Sequence, residues 1–216
     1  MIEVCSTECS GLPTAGRSGG NCQRHMAPGS LCMPDLPNGG MMAHWKLYFA
    51  ADMENLSLDS TCIKVHENAN GGGKTADKAI GRTRGGLNTK LHAIVDGLGN
   101  PIEFMLSAGN DHDCVHAFEL LEKVEIRGSN VLADRAYGAK TIRAYISEQG
   151  ASYVIPPQSN VFDPWPVDWW LYKKRHLVEC FFQRLKWFRR IATRYDKLDT
   201  SFLAFVYLAS IAILLI

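Results

Sequence analysis

Apolar and polar positions along the chain fall into distinct regimes. Residues 1–43 show no apolar periodicity; Gly, Pro, Ser and Cys recur, and Pro13, Pro28, Pro34 and Pro37 break any helix, so this stretch is expected to be poorly ordered. From Leu56 the pattern turns strand-like: LSLDSTCIKV is short, β-branched towards its end, and bounded by the glycines at 71–73. Residues 87–96 (LNTKLHAIVD) and 102–107 (IEFMLS) read as two more strands, joined by a hairpin turn through Gly97-Leu98-Gly99-Asn100-Pro101. Helical spacing follows over 113–124, and then a short apolar run, NVLA at 130–133, ends at Asp134. Residues 139–149 are again helical, 153–155 form a short strand, and a long helix starts near Trp170. The order strand, strand, strand, helix, strand, helix, strand, helix predicts an α/β fold, a mixed sheet flanked by helices whose first three strands form a meander. Residues 202–216 (FLAFVYLASIAILLI) are almost wholly apolar, but a membrane span needs roughly 18 or more such residues, so a buried terminal helix is expected.

Composition sharpens this picture in one respect. The 216 residues, 46% of them apolar, suffice for a large domain with a real core, and the formal net charge is only +1. That balance is a cancellation: residues 1–171 carry 14 Lys/Arg against 19 Asp/Glu, whereas residues 172–216 carry 9 against 3. Seven irregularly placed cysteines, with no apolar segment after Met1 of the kind a secretory signal requires, point to a reducing cytoplasm. Cys5, Cys9, Cys22 and Cys32 do not have the spacing of two zinc knuckles.

Candidate chemistry separates into a motif that fails and a constellation that holds. Gly71-Gly72-Gly73-Lys74-Thr75 suggests a phosphate-cradling loop, but position 68 is Asn where the pattern needs Gly, and no apolar helix follows. A basic loop with Lys74, Lys78, Arg82 and Arg84, able to touch phosphates, is the plainer reading. In the helix near Tyr172, with Tyr172 at zero and each residue turning about 100°, Arg175 falls at about 300°, Glu179 at about 340°, Lys186 at about 320° and Arg190 at about 0°. Leu177, Cys180, Phe181, Leu185, Trp187, Phe188 and Ile191 then make the core-facing side. One acid thus lies among fixed cations on an outward face. A solvated face of ion pairs is the ordinary outcome for such a helix, but so large an excess of one sign repels itself unless a polyanion neutralises it. A carboxylate among phosphate-binding cations makes chemical sense if it holds divalent metal for work on a phosphodiester, with further carboxylates from other elements. Asp59, interrupting one strand, and Asp134, ending another, are the candidates; either could instead cap a turn or pair with a basic neighbour.

These blocks resemble insertion-sequence transposases of the DDE type, which have a ribonuclease-H-like catalytic domain. The resemblance runs over residues 45–216 and rests on LSLDSTCIKVH around Asp59, AIGRTRGGLNTKLHAIVDGLGNP, LSAGNDHD, VLADRAYGAK around Asp134, and YKKRHLVECFFQRLKWFRRIATRYDKL. The last segment fits the group's Tyr-x2-Arg-x3-Glu-x6-Lys signature without a gap at Tyr172, Arg175, Glu179 and Lys186. The resemblance implies a metal-binding catalytic triad of Asp59, Asp134 and Glu179, holding Mg²⁺ or Mn²⁺, two ions in all. Tyr172, Arg175 and Lys186 would contact DNA near the scissile phosphate, with Arg190 on the same stripe. The implied activity is metal-dependent cleavage and strand transfer at transposon ends on double-stranded DNA, by a homo-oligomer, in the cytoplasm at the nucleoid. Trp165, Trp169 and Trp170 could stack on a displaced base, although packing under the helix start is the commoner fate of such residues. His112 needs no role beyond a hydrogen-bonded loop histidine.

The expected division is an unrelated N-terminal segment over 1–43 and a ribonuclease-H-like catalytic domain over 44–216. Family members usually begin with helices that recognise the terminal repeats, and only about 45–55 has that character here. A truncated copy, or the downstream product of a two-frame element whose upstream-frame product supplies the missing region, is therefore expected. Two competing readings remain at this stage: an inactive remnant that retains only DNA binding, and a protein anchored in a membrane by its apolar C-terminus.

Overall fold

The computed structural model describes residues 51–70 and 79–215. The N-terminal segment 1–43 with its four cysteines, most of 45–55, and the glycine-rich loop with Lys74 and Lys78 lie outside the described residues. Residues 51–54, at the end of the stretch read as helical, form a turn leading into the first strand.

The strands are β1 (Asn55–Val65), β2 (Gly81–Thr83), β3 (Gly86–Val95), β4 (Pro101–Ala108), β5 (Asn130–Ala133), β6 (Ser152–Val154) and β7 (Thr193–Arg194). The helices are α1 (Asp113–Glu122), α2 (Lys140–Glu148), α3 (Trp169–Tyr172), α4 (His176–Leu185), α5 (Arg189–Ala192) and α6 (Asp199–Leu214). The five principal strands lie in the order β4-β3-β1-β5-β6, with β1, β3 and β4 antiparallel and β5 and β6 parallel to β1. This is the mixed sheet flanked by helices expected from the element order, with its first three long strands in a meander. Two short strands complete it: β2 pairs with β3 beyond the end of β4, and β7 pairs with β1 beyond β5. Neither is visible as a hydrophobic pattern, because two or three residues carry no periodicity.

The predicted hairpin between β3 and β4 is held by Asp96. Fully buried, its carboxylate accepts hydrogen bonds from the backbone N–H groups of Leu98 and Asn100 and from the Asn100 amide. Gly99 takes φ +87, a conformation that favours glycine.

Strand alternation gives the sheet two apolar faces. On one, Leu56, Leu58, Ile94, Val131 and Ala133 pack beneath α1 and α2 through Leu120, Leu121, Ile142 and Ile146. On the other, Ile63, Leu91, Ala93, Val95 and Phe104 pack beneath α4 and α6 through Val178, Phe181, Phe182, Leu185, Phe202, Val206 and Ile213. At roughly 2 kcal/mol for each fully buried large side chain, either face holds its helices by packing alone. The C-terminal apolar run is the buried helix expected, and among the described residues no helix is long and apolar enough to cross a membrane.

Candidate active site

The site is set by register. Parallel pairing of β1 with β5 places Leu58 beside Ala133, so the next residues, Asp59 and Asp134, stand side by side where β5 ends. Neighbouring strands are about 4.8 Å apart. Leu58 and Ala133 face the α1/α2 core, so both aspartates face the opposite way, towards α4. Local hydrogen bonds fix each carboxylate. The Ser60 N–H donates to Asp59 at 2.8 Å, and Asp134 caps the turn Arg135–Tyr137 by accepting from the Arg135 N–H. The capping role considered for Asp134 is therefore real, and its position beside Asp59 is an additional fact.

The third carboxylate comes from α4. Val178, Phe181, Phe182 and Leu185 anchor this helix to the sheet, leaving Glu179 at its solvent edge with 47% of its side chain exposed. Arg175 joins the groups: its guanidinium donates to Asp59 at 2.9 Å and to Glu179 on its other side. Burial pushes the Asp59 carboxyl above its usual range; the Ser60 N–H and the Arg175 guanidinium pull it down, and the nearby Asp134 and Glu179 charges push it up again. Two of the three carboxylates, Asp59 and Glu179, thus share one guanidinium. Lys186 Nζ donates to Thr61 Oγ1 at 2.6 Å, two residues further along the same face of β1. The Tyr172 ring lies 5.8 Å from the Arg175 guanidinium and packs edge-on against Trp169.

Two expectations for the signature helix need correction. It is not a single α-helix. A tighter 3-10 turn at Lys173–Arg175 separates α3 from α4, and α4 ends at Leu185, after which Phe188 is extended and the chain restarts as α5. A 100° step cannot be carried through these changes of winding, so Arg190 does not belong to the stripe. It is ion-paired with Asp196 and stacked at 3.8 Å on Phe205. The core side is shifted too: Val178 and Phe182 are buried, whereas Cys180 is exposed and Trp187 is 79% exposed.

The cationic excess of 172–216 is also partly structural. Arg194 is fully buried, donating to Thr89, to the Asp196 carbonyl and to Asp199, and Arg184 donates to the Ile213 carbonyl at 2.8 Å. The tryptophans divide. Trp165 packs as expected, with Nε1 donating to the Ile155 carbonyl and Arg143 lying 3.5 Å over its ring, but Trp169 and Trp170 are 56% and 72% exposed beside the site. Thr61 was not anticipated, although its place two residues after Asp59 in a strand was a sufficient signal.

The donors on this face are oxygen atoms only, a set suited to a hard divalent cation such as Mg²⁺ or Mn²⁺. Among the described residues no three His, Cys, Asp or Glu side chains already converge as a ligand set, and a guanidinium spans two of the three carboxylates instead.

The family described as "Transposase DDE domain" matches residues 51–162, just over half of the chain and including Asp59 and Asp134. A Brucella ovis protein assigned as transposase for insertion sequence element IS6501 is 42% identical over 127 residues, which are 57% of this chain and 95% of that relative. Among solved structures, the piggyBac transposase synaptic complex with hairpin DNA aligns at 16% identity and TM-score 0.35, over 50% of this chain and 24% of its own. The Mos1 transposase paired-end complex with left transposon end aligns at 11% identity and TM-score 0.34, over 64% of this chain and 48% of its own. The chain therefore spans between about a quarter and half of the length of those two structures. The extent of the family match, together with a 42% identical relative covered almost end to end, establishes that this chain belongs to the transposase DDE domain family.

Proposed function

We propose that this chain cleaves DNA at the ends of an insertion sequence and joins those ends to a target, using Asp59, Asp134 and Glu179 as its metal-holding carboxylates. The observation that carries the reading is the juxtaposition of Asp59 and Asp134 by strand register, with Glu179 brought to them through Arg175. Two divalent ions, Mg²⁺ or Mn²⁺, held there would supply activation of the attacking oxygen and stabilisation of the leaving 3′ oxygen.

The chain's own part is to hold charge in place. Asp59 and Asp134 are fixed by backbone hydrogen bonds, so two ligands are pre-oriented, while the exposed Glu179 can swing. Arg175 neutralises the carboxylates in the absence of a cation. Displaced by one, it presents a planar fork of donors to a phosphate at the same place. Lys186 lies about 7 Å further along β1, from Asp59 to Thr61, close enough to hold an adjoining phosphate. Tyr172 orients Arg175, and the exposed Trp169 and Trp170 offer faces for a base unstacked at the cut end. Arg190 contributes only by leaving its partner Asp196. The catalytic domain is taken as 44–216, with end recognition by an upstream-frame product and assembly as a homo-oligomer at the nucleoid.

The test is nicking and strand transfer on a duplex bearing the element's ends, with Mg²⁺ or Mn²⁺. Wild-type protein is expected to produce both products, and Glu179→Gln to fall by about 10³-fold or more. Cleavage by Glu179→Gln at the wild-type rate would remove Glu179 from the triad.

A further inference from the structure

The far end of β1 carries a second basic surface that the carboxylate site does not use. Two open hollows flank the Lys64–Thr193 pair of β1 and β7. One, of about 600 Å³, is lined by Arg189, Arg190, Ala192, Thr193 and Tyr195; the other, of about 400 Å³, is lined by Lys64, Glu67, Arg82 and the turn of the β2/β3 hairpin. Between them His66 packs in a tilted arrangement on Tyr195, ring centroids 4.7 Å apart, and the His66 N–H donates to the Arg194 carbonyl at 2.9 Å. Lys64, Arg82, Arg84 and Arg189 are all exposed there. Among the described residues none of these four has an acidic partner, and Glu67 is the one acid in either lining.

The contrast with the other arginines of this region is informative. Arg175, Arg190 and Arg194 are each matched to a carboxylate, and Arg184 to a carbonyl, so the chain does provide partners for cations that serve its own fold. Lys64, Arg82 and Arg189 come from three separate segments, and the fold gathers them at one sheet end with their charges unmet. Like charges held together in this way favour a polyanion. The position also fits a particular one. The level of the sheet marked by the Lys64–Thr193 pair is five residues from Asp59 along β1, about 16 Å, and five steps of duplex DNA cover about 17 Å. Lys64, at an odd spacing, points to the α1 face, whereas Arg82, paired across from Leu87, and Arg189, on the helix that packs Ile191 into the α4-side core, lie on the face of Asp59.

We propose that this end of the sheet is a docking surface for the backbone of the same DNA duplex whose phosphate occupies the carboxylate site, gripping it about five base pairs from the cut through Arg82 and Arg189. The proposal rests on the DNA-cleaving reading above and adds a second, sequence-independent grip. Such a grip holds the duplex in line with β1 and contributes affinity without reading bases.

The test is the salt dependence of duplex binding by the full chain, without divalent metal, followed by fluorescence anisotropy. The double variant Arg82→Ala/Arg189→Ala should lower the slope of log K against log salt by about 2, one for each phosphate no longer neutralised. Arg82→Lys/Arg189→Lys should restore it. The control Arg127→Ala/Lys140→Ala, which removes two exposed cations elsewhere on the molecule, should leave the slope unchanged. An unchanged thermal midpoint in each variant shows that the fold is intact. A wild-type slope in Arg82→Ala/Arg189→Ala, or an equal fall in the Arg127/Lys140 control, overturns the proposal. Absence of any salt-sensitive duplex binding by the wild type sinks the DNA-cleaving reading itself.

Discussion

Two charged clusters stand back to back across β1 and β3, and they are balanced in opposite ways. On the α1 side, Lys90 donates to Asp113 and to the Asp111 carbonyl at 2.8 and 2.6 Å, His116 pairs with Asp111, and His92 shares a 2.8 Å hydrogen bond with Ser107. Cation and anion are matched, and Lys90 and His92 are largely or wholly removed from water. On the α4 side, Asp59, Asp134 and Glu179 have one guanidinium among them and remain partly open to solvent. A matched, buried cluster is complete in itself and serves the fold. An under-neutralised, accessible one has capacity for a further cation. The difference lies in stoichiometry and access: Lys90 and His116 meet Asp113 and Asp111 one to one, whereas Arg175 alone meets Asp59 and Glu179.

The largest expected effect is on catalysis: Asp59→Asn and Asp134→Asn should each reduce metal-dependent cleavage by about 10³-fold or more while duplex binding persists, measured on one substrate for both. Retained cleavage in either variant would detach that aspartate from the site.

The next effect belongs to the matched cluster. Burial pulls the His92 imidazole down from 6.5 to about 4, against the opposing pull of Asp113; His116, Lys90 and Asp111 also face it. The folded state therefore keeps His92 neutral where the unfolded chain takes up a proton. Stability is fully present above pH 6.5 and is lost as the pH falls towards 4, by at most about 3 kcal/mol. Urea unfolding across that window should show the loss in wild type and a flatter profile in His92→Gln. Parallel profiles would mean that His92 is not the titrating group.

A smaller cost is expected for Lys90→Met, which leaves the Asp113 carboxylate without its counter-ion. Burial acts to raise that carboxyl, but hydrogen bonds from Lys90 and Ser60 outweigh it and hold Asp113 below its usual range. Losing Lys90 should cost about 2 kcal/mol in unfolding free energy. Its response to Mg²⁺ should remain that of the wild type.

The smallest effect should come from Arg175→Gln. Glu179 is nearly half exposed, so the ion pairs are partly screened and about 1 kcal/mol of stability is at stake. The diagnostic is the response to metal: with no guanidinium to displace, Mg²⁺ should raise the thermal midpoint of this variant more than that of the wild type. An equal rise in both would show that arginine and metal do not compete for the carboxylates.

Much of the fold was legible in the chain. The short runs of β1, β3, β4 and β5, bounded by turn residues, and the helical spacing of α1 and α2 each reflect surface that must be buried, so the chain reports them directly. The short strands β2 and β7 were not legible, since their pairing is decided by what lies across from them. Helical spacing puts Tyr172, Arg175, Glu179 and Lys186 on one stripe, and the structure brings Arg175 and Glu179 together at Asp59 and Lys186 to Thr61. Arg190 was misplaced by the same reasoning, because constant helical winding does not survive the 3-10 turn at Lys173–Arg175 and the break after Leu185.

What the sequence determined by itself was which residues are apolar, where they repeat, and which acids interrupt them: Asp59 inside a strand, Asp134 at the end of one, Glu179 amid cations. Those properties are local and follow from side-chain chemistry and backbone period. Only the tertiary structure decided that the register of β1 on β5 sets Asp59 beside Asp134, and that Arg175 reaches Asp59 across 116 residues of sequence. It also decided that Arg184, Arg190 and Arg194 have partners within the fold, while Arg82 and Arg189 have no acidic partner among the described residues. Charges interact through space, and their balance is fixed only when the chain has brought distant segments within a few ångströms.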